Sequence, residues 1–159
     1  MNHKVDVHYY NTGQVGWLEL RASIKGVHCI NFVGDHPGSH ASPVSPVIEK
    51  LVLELDNYFS GNPSGFSVRL DPEKGTPFER RVWEELVRIP YGETRSYSNI
   101  ARAVENPRAS RAVGLANGKN MIPILIPCHR VIRSDGSLGG YGPGVHIKKK
   151  LLELEGTTR

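Results

Sequence analysis

Apolar and polar residues alternate with the two-residue period of a strand along Trp17-Leu18-Glu19-Leu20-Arg21-Ala22. Gly26 separates this run from Val27-His28-Cys29-Ile30-Asn31-Phe32-Val33, so a hairpin ended by Gly34 is expected. His36 to Pro43 is polar and rich in breakers, and reads as a loop. From about Ser45 to Phe59 the period becomes helical, with Val47, Leu51, Leu55 and Tyr58/Phe59 on one face; Pro46 suits the first turn and Gly61 the C-terminal cap. Phe66-Ser67-Val68-Arg69-Leu70 predicts a further strand. Asp71-Pro72-Glu73-Lys74-Gly75 reads as a linker, which divides the chain into a small α/β domain, 1–75, and a second domain, 76–159.

The second domain reads as mostly helical. Thr76-Pro77-Phe78-Glu79 has the spacing of a capping box and opens a helix through Val82, Trp83, Leu86 and Val87, which Pro90-Tyr91-Gly92 stops. Ser96 to Ala103 predicts a short helix, Asn106-Pro107 a turn, and Ala109 to Ala116 another helix. Two short helices joined by a tight turn resemble a helix-turn-helix, although helical hairpins that never touch DNA share the pattern. The fold class expected is therefore mixed α/β (α+β).

A chain of 159 residues with 38% hydrophobic and 23% charged residues is ordinary for a globular protein, and no apolar run approaches the length that spans a bilayer. The first residues have no apolar segment of the secretory type, so an intracellular, cytoplasmic protein is expected. Two cysteines are too few for a disulfide framework. Charge is unevenly spread: residues 1–75 hold six Lys/Arg against eight Asp/Glu, and residues 76–159 hold fourteen against eight. The first part is thus −2 and the second +6, a balance that favours a polyanion on the second domain but also suits a plain solvated surface.

The chemistry concentrates in Pro123-Ile124-Leu125-Ile126-Pro127-Cys128-His129-Arg130-Val131-Ile132, an apolar run that delivers Cys, His and Arg in succession. A free thiol with a pKa of about 8.5 is mostly protonated at neutral pH, and only the thiolate attacks carbon well. A hydrogen-bonded histidine provides a route for the proton. On a strand, however, adjacent side chains point opposite ways, so contact between Cys128 and His129 would need a bridging water, with a distant carboxylate orienting the imidazole. From the residues alone, Cys128 stands equally as a nucleophile or a buried structural thiol. Cys29, on a strand with no special neighbours, reads as a core residue.

Ile126-Pro127-Cys128-His129-Arg130-Val131 resembles the active-site signature of the O6-alkylguanine-DNA alkyltransferases. Arg88 to Tyr97, Ser110-Arg111-Ala112-Val113-Gly114, Ala116 to Asn120, Gly139-Gly140-Tyr141-Gly142 and Lys149 to Glu155 are similar to the family at the expected spacings. The likeness is strong over 76–156 and loose before it, where an RNase H-like N-terminal domain is implied. The resemblance implies a monomer, its cooperativity on DNA left open, that binds double-stranded DNA through the minor groove and flips out the damaged nucleotide. It then moves the alkyl group of O6-alkylguanine, or of O4-alkylthymine, irreversibly to Cys128.

Residue by residue, the resemblance makes Cys128 the alkyl acceptor, His129 the residue that takes its proton through water, and Glu155 the carboxylate that polarises His129. Asn120 would brace the active-site turn, and Tyr97 would donate to N3 of the flipped base. Arg111 matches the arginine that fills the gap in the base stack; Ala112 and Gly114 let its helix approach the backbone. Arg95, Ser96 and Lys119 are candidate phosphate contacts. The carbonyls of Cys128 and Val131 would accept from the guanine amine, with Tyr141 and Gly142 closing the pocket. Gly139 to Gly142 lack the GxGxxG spacing and no helix is expected directly after them, which argues against a phosphate loop. Some relatives hold a structural zinc near the position of His28, but its cysteine partners are missing here, so neither metal nor cofactor is expected. The proline often found after the asparagine at 120 is replaced by Met121. Three rival readings remain: a lesion binder without transfer, in which tryptophan would stand at 128; a transcription factor using the helix pair; and a cysteine hydrolase, for which nothing beyond Cys and His speaks.

Overall fold

The structure, a computed structural model, describes residues 3–38 and 43–157. Residues 39–42 of the loop expected between His36 and Pro43 lie outside them. The chain divides into two compact units, Met1–Glu73 and Lys74–Arg159. Together they hold a small antiparallel sheet, a two-strand parallel pair and five α-helices among the described residues, a mixed α/β fold.

The first unit is an antiparallel meander of β1 (Asp6–Asn11), β2 (Trp17–Ser23) and β3 (Gly26–Gly34), followed by α1 (Pro46–Phe59). β1 was not anticipated: of its residues only Tyr10 is buried, so alternation barely marks it. Ser45 caps α1 as its side chain accepts from the Ile48 amide, and the inward face is Ile48, Leu51, Leu55, Tyr58 and Phe59. Ile48 thus takes the place expected for Val47.

The strand expected at Phe66–Leu70 does not form. The Glu54 carboxylate on α1 accepts from the amides of Ser67 and Val68, which removes the donors a ladder would need. What survives is one bridge between Leu70 and Val27. Cys29 is likewise not a core residue: it faces outward opposite Arg21, half-exposed, with its thiol 3.3 Å from Asn31 Oδ1. The inward residues on either side of it are His28 and Ile30. The His28 ring joins Ser23 Oγ at 2.8 Å and the Asp71 carbonyl at 2.9 Å.

The second unit begins with α2 (Pro77–Val87), where Thr76 and Glu79 complete the capping box; Val82, Trp83 and Leu86 are buried and Val87 is exposed. Next come β4 (Arg95–Ser96), α3 (Tyr97–Ala103), α4 (Ser110–Gly118), a one-turn 3₁₀ helix (Cys128–Arg130), β5 (Val131–Ile132) and α5 (Val145–Leu154). Trp83 Nε1 donates to the Ala116 carbonyl at 2.8 Å, which pins α2 to the end of α4. α5 does follow the glycine segment, contrary to expectation. Its cap is Gly144 with no side-chain hydrogen bond, so the usual polar cap that announces a helix is missing. Among the described residues no helix is long and apolar enough to cross a membrane.

Candidate active site

The turn that carries Cys128 is prepared by the preceding loop. Ile124 adopts a left-handed backbone (φ 75°), costly for a β-branched residue, and the chain doubles back so that Pro123 bridges Ile126. Asn120 closes this loop like a clasp: its Nδ2 donates to the Ile126 carbonyl at 2.7 Å and its Oδ1 accepts from the Ile122 amide at 3.0 Å. Cys128, His129 and Arg130 then form one 3₁₀ turn rather than the strand the sequence suggested. Three residues per turn send the three side chains in three directions.

All three are buried. His129 Nε2 meets Glu155 Oε1 at 2.7 Å, and the same carboxylate accepts from Arg130 Nε and NH2, both at 2.9 Å. Arg130 NH1 donates to the Ile89 carbonyl at 2.7 Å, and the Tyr91 ring lies 5.9 Å from the guanidinium. Glu155 sits at the C-terminal cap of α5. Gly92 (φ 81°) passes close beneath it, since a Cβ there would lie 3.2 Å from the Glu155 carbonyl. Burial pushes the Glu155 carboxyl up, but hydrogen bonds from His129 and Arg130 outweigh it and hold the group at about 2. Burial pushes the His129 imidazole down, more than Glu155 pulls it up, so the ring is neutral. Its Nδ1 has no hydrogen-bond partner among the described residues.

Burial raises the Cys128 thiol, while the side chains of Asn120 and Tyr141 and the charge of Lys148 pull it back. The thiol is therefore held protonated beside an unprotonated base. Lys148 is fully buried on α5 and donates to the carbonyls of Val131 at 2.6 Å, Leu138 at 2.5 Å and Gly140 at 3.4 Å. Burial lowers its ammonium to about 8, against the pull of Cys128. Asn117 on α4 donates from Nδ2 to the Cys128 carbonyl at 3.3 Å.

β4 pairs with β5, Arg95 opposite Val131 and Ser96 opposite Ile132, and so brings Tyr97, the first residue of α3, to the site. The Tyr97 hydroxyl lies against Gly139 (φ 72°), where a Cβ would come within 3.1 Å of it. Burial raises the phenol, Arg133 lowers it and Cys128 raises it.

A family profile described as 6-O-methylguanine DNA methyltransferase, DNA binding domain, matches residues 77–157. The chain belongs to this family. It is 55% identical over 104 residues to the methylated-DNA–protein-cysteine methyltransferase of Methanosarcina acetivorans, an alignment that takes in 65% of this chain and 66% of that one. Among solved structures it is similar to O6-methylguanine methyltransferase from Mycobacterium tuberculosis, at 42% identity and a TM-score of 0.82 over 96% of this chain and 93% of the other. It is also similar to that organism's OGT in complex with DNA, at 45% identity and a TM-score of 0.78 over 89% and 88%. The resemblance carried by the Cys128 segment is borne out at the level of the family.

Of the residues singled out as site candidates in this methyltransferase-family chain, Cys128, His129, Glu155, Asn120, Tyr97, Val131 and Tyr141 come together. Gly142 is exposed, and nothing would crowd a Cβ there. Arg111 and Ala112 are exposed on α4, and Gly114, also on α4, adjoins the Tyr97 ring. Arg111 makes no ion pair or side-chain hydrogen bond among the described residues. The proposed phosphate contacts are occupied internally: Lys119 pairs with Glu79 at 2.9 Å, Arg95 with Glu93 at 2.8 Å, and Ser96 caps α3. Asn117, Lys148 and the role of Arg130 were missed. For Lys148 a signal existed: with Leu151, Leu152 and Glu155 it occupies i, i+3, i+4 and i+7, one face of a helix. The run Lys148-Lys149-Lys150 disguised it as a solvated patch.

Proposed function

We propose that this protein repairs DNA by taking the alkyl group from O6 of guanine and keeping it on Cys128. The observation that carries the reading is a buried thiol and a buried neutral imidazole on one turn of the backbone, with the ionised Glu155 carboxylate of α5 bonded to that imidazole. Glu155 accepts from Nε2–H of His129, which leaves Nδ1 as the acceptor nitrogen. Nδ1 takes the thiol proton through water, and the thiolate attacks the alkyl carbon from the side opposite O6. The S–C bond forms as the C–O bond breaks, and the electron pair departs on guanine O6. Tyr97 donates a hydrogen bond to N3 of the base and spreads that charge. The departing guanine anion takes up a proton from water and His129 returns the thiol proton to water, so base and imidazole both end neutral. A thioether is inert to hydrolysis near neutral pH, so each molecule acts once. O4-alkylthymine presents the same alkyl-oxygen bond and is a secondary substrate.

The DNA side follows from the basic second unit. α3 and α4 act as a helix-turn-helix in the minor groove, with Arg111 entering the stack where the damaged nucleotide has flipped out; extrusion costs a few kcal/mol, which an inserted cation offsets. Ala112 and Gly114 keep that helix face low, and Arg95, Ser96 and Lys119 reach phosphates if their internal partners give way. The protein works as a monomer in the cytoplasm, and the meander with α1 is read as an RNase H-like support. Cys128 speaks against a lesion binder that does not react. Intact-protein mass spectrometry after mixing with duplex DNA carrying one O6-methylguanine tests the reading. A single methyl, mapped to Cys128 and absent from Cys128→Ala, is expected; lesion-selective binding with no mass gain would replace repair by damage sensing.

A further inference from the structure

We infer that Asn117 and Lys148 are positioning residues that set the preference for a base bearing an exocyclic amine, through the backbone carbonyls of Cys128 and Val131. The inference rests on the proposed function and on the family resemblance, which implies that those two carbonyls accept from the guanine amine. Each carries a buried side-chain donor: Asn117 Nδ2 on Cys128 O and Lys148 Nζ on Val131 O. A carbonyl oxygen has two lone pairs, so Lys148 leaves one on Val131 O for the base. Cys128 O also accepts from the Val131 amide, and there the base amine must share the oxygen with the long 3.3 Å bond from Asn117, which aims the carbonyl. On Val131 O the Lys148 donor also helps meet the requirement that a buried carbonyl be partnered before any base arrives.

Both side chains are poor choices for stability alone. Lys148 is fully buried with no carboxylate in ion-pair distance among the described residues, and its neighbours on the buried side of α5 include Ile147, Leu151 and Leu152. Asn117 is 7% exposed beside Val113 and Ala116 on α4, and its Oδ1 has no hydrogen-bond partner among the described residues. Methionine and leucine would fill the same spaces without those penalties. The polar groups are instead spent on carbonyls. Lys148 also holds Leu138 O and Gly140 O, so a single ammonium ties both ends of the 131–140 segment. Only Val131 and Ile132 of that segment belong to a strand, and without these donors its carbonyls are free to tilt away from the base.

The test compares reaction rates of wild type, Asn117→Leu and Lys148→Met on one duplex carrying O6-methylguanine and on the same duplex carrying O6-methylhypoxanthine, which lacks the amine. The work of opening each duplex is common to all three proteins, so the change in preference between proteins isolates the carbonyls. Wild type is expected to favour the amine-bearing lesion by roughly tenfold, and each variant to reduce that to about threefold or less, with the loss heavier on methylguanine. Equal slowing on both lesions with the preference intact would make the two residues structural only and overturn the inference. No preference in wild type would remove the carbonyl reading and the inference with it. Asn117→Ala removes the donor without adding a titratable group, and reports the same ratio if the leucine variant does not accumulate.

Discussion

A buried histidine that must accept a proton needs a partner strong enough to fix its ring without charging it. Glu155 meets this need because Arg130 shares its carboxylate and neutralises it. Glu155→Gln keeps the size and removes the charge; transfer to Cys128 is expected to slow by about 10–100-fold in single-turnover assays. The same change leaves the Arg130 guanidinium without its counterion, at a cost of about 3 kcal/mol in denaturant unfolding. The pH dependence follows from the folded value of about 2 against an ordinary 4.5. A depressed carboxylate contributes stability above its unfolded value and loses it as the pH falls, so melting temperature should drop steeply from pH 4.5 to 2 in wild type and less in Glu155→Gln. A flat wild-type profile over that range would dismiss the ion pair as a stabilising element. At this scale the sequence revealed Cys128 and, by resemblance, its partners His129 and Glu155. It concealed Asn117 and Lys148, because a polar residue inside a core reads as surface until its helical face is known.

Helix ends were legible because capping depends on short-range spacing: Thr76 with Glu79, and Ser45 with Pro46, are local facts. Thr76→Ala removes a cap that accepts from the Glu79 amide, and should lower stability by about 1 kcal/mol in chemical denaturation. The strand at Phe66–Leu70 was not legible, since its failure depends on Glu54, more than ten residues away, taking its amides. α4 offers a sharper trial. A Cβ at Gly114 would lie 3.8 Å from the Tyr97 ring, an ordinary contact, so Gly114→Ala should fold and gain about 0.5–1 kcal/mol from helix propensity. Gly114→Leu instead presses on the ring that is to meet the base, and should depress the repair rate far more than the melting temperature. Equal rates for the two variants would free Tyr97 of any such constraint.

For the whole molecule, charge is the property that sequence conveys without any structure. The +6 of residues 76–159 coincides with the matched DNA-binding region, and the −2 of residues 1–75 does not. Affinity for undamaged duplex should therefore fall tenfold or more between 50 and 200 mM salt, as several phosphates give back their counterions. Arg111→Ala should weaken the complex with lesion-bearing duplex while leaving the reaction with a free O6-alkylated base intact, measured as alkylation of Cys128. The boundary between the two compact units, after Glu73, falls within the Asp71–Gly75 breakers. The packing of the 122–132 segment was not foreseeable, because a left-handed isoleucine is imposed by surroundings and leaves no mark in composition.

The one-turn 3₁₀ helix has a consequence for how this chain tolerates change. Successive side chains there diverge by about 120°, so direction is an address assigned by count. Inserting one residue after Pro127 leaves cysteine, histidine and arginine all present and permutes their addresses: the thiol turns to where the imidazole stood, and the imidazole to where the guanidinium stood. Substitution in this turn is graded by chemistry, whereas a change of length is a transposition that no single compensating side chain can undo.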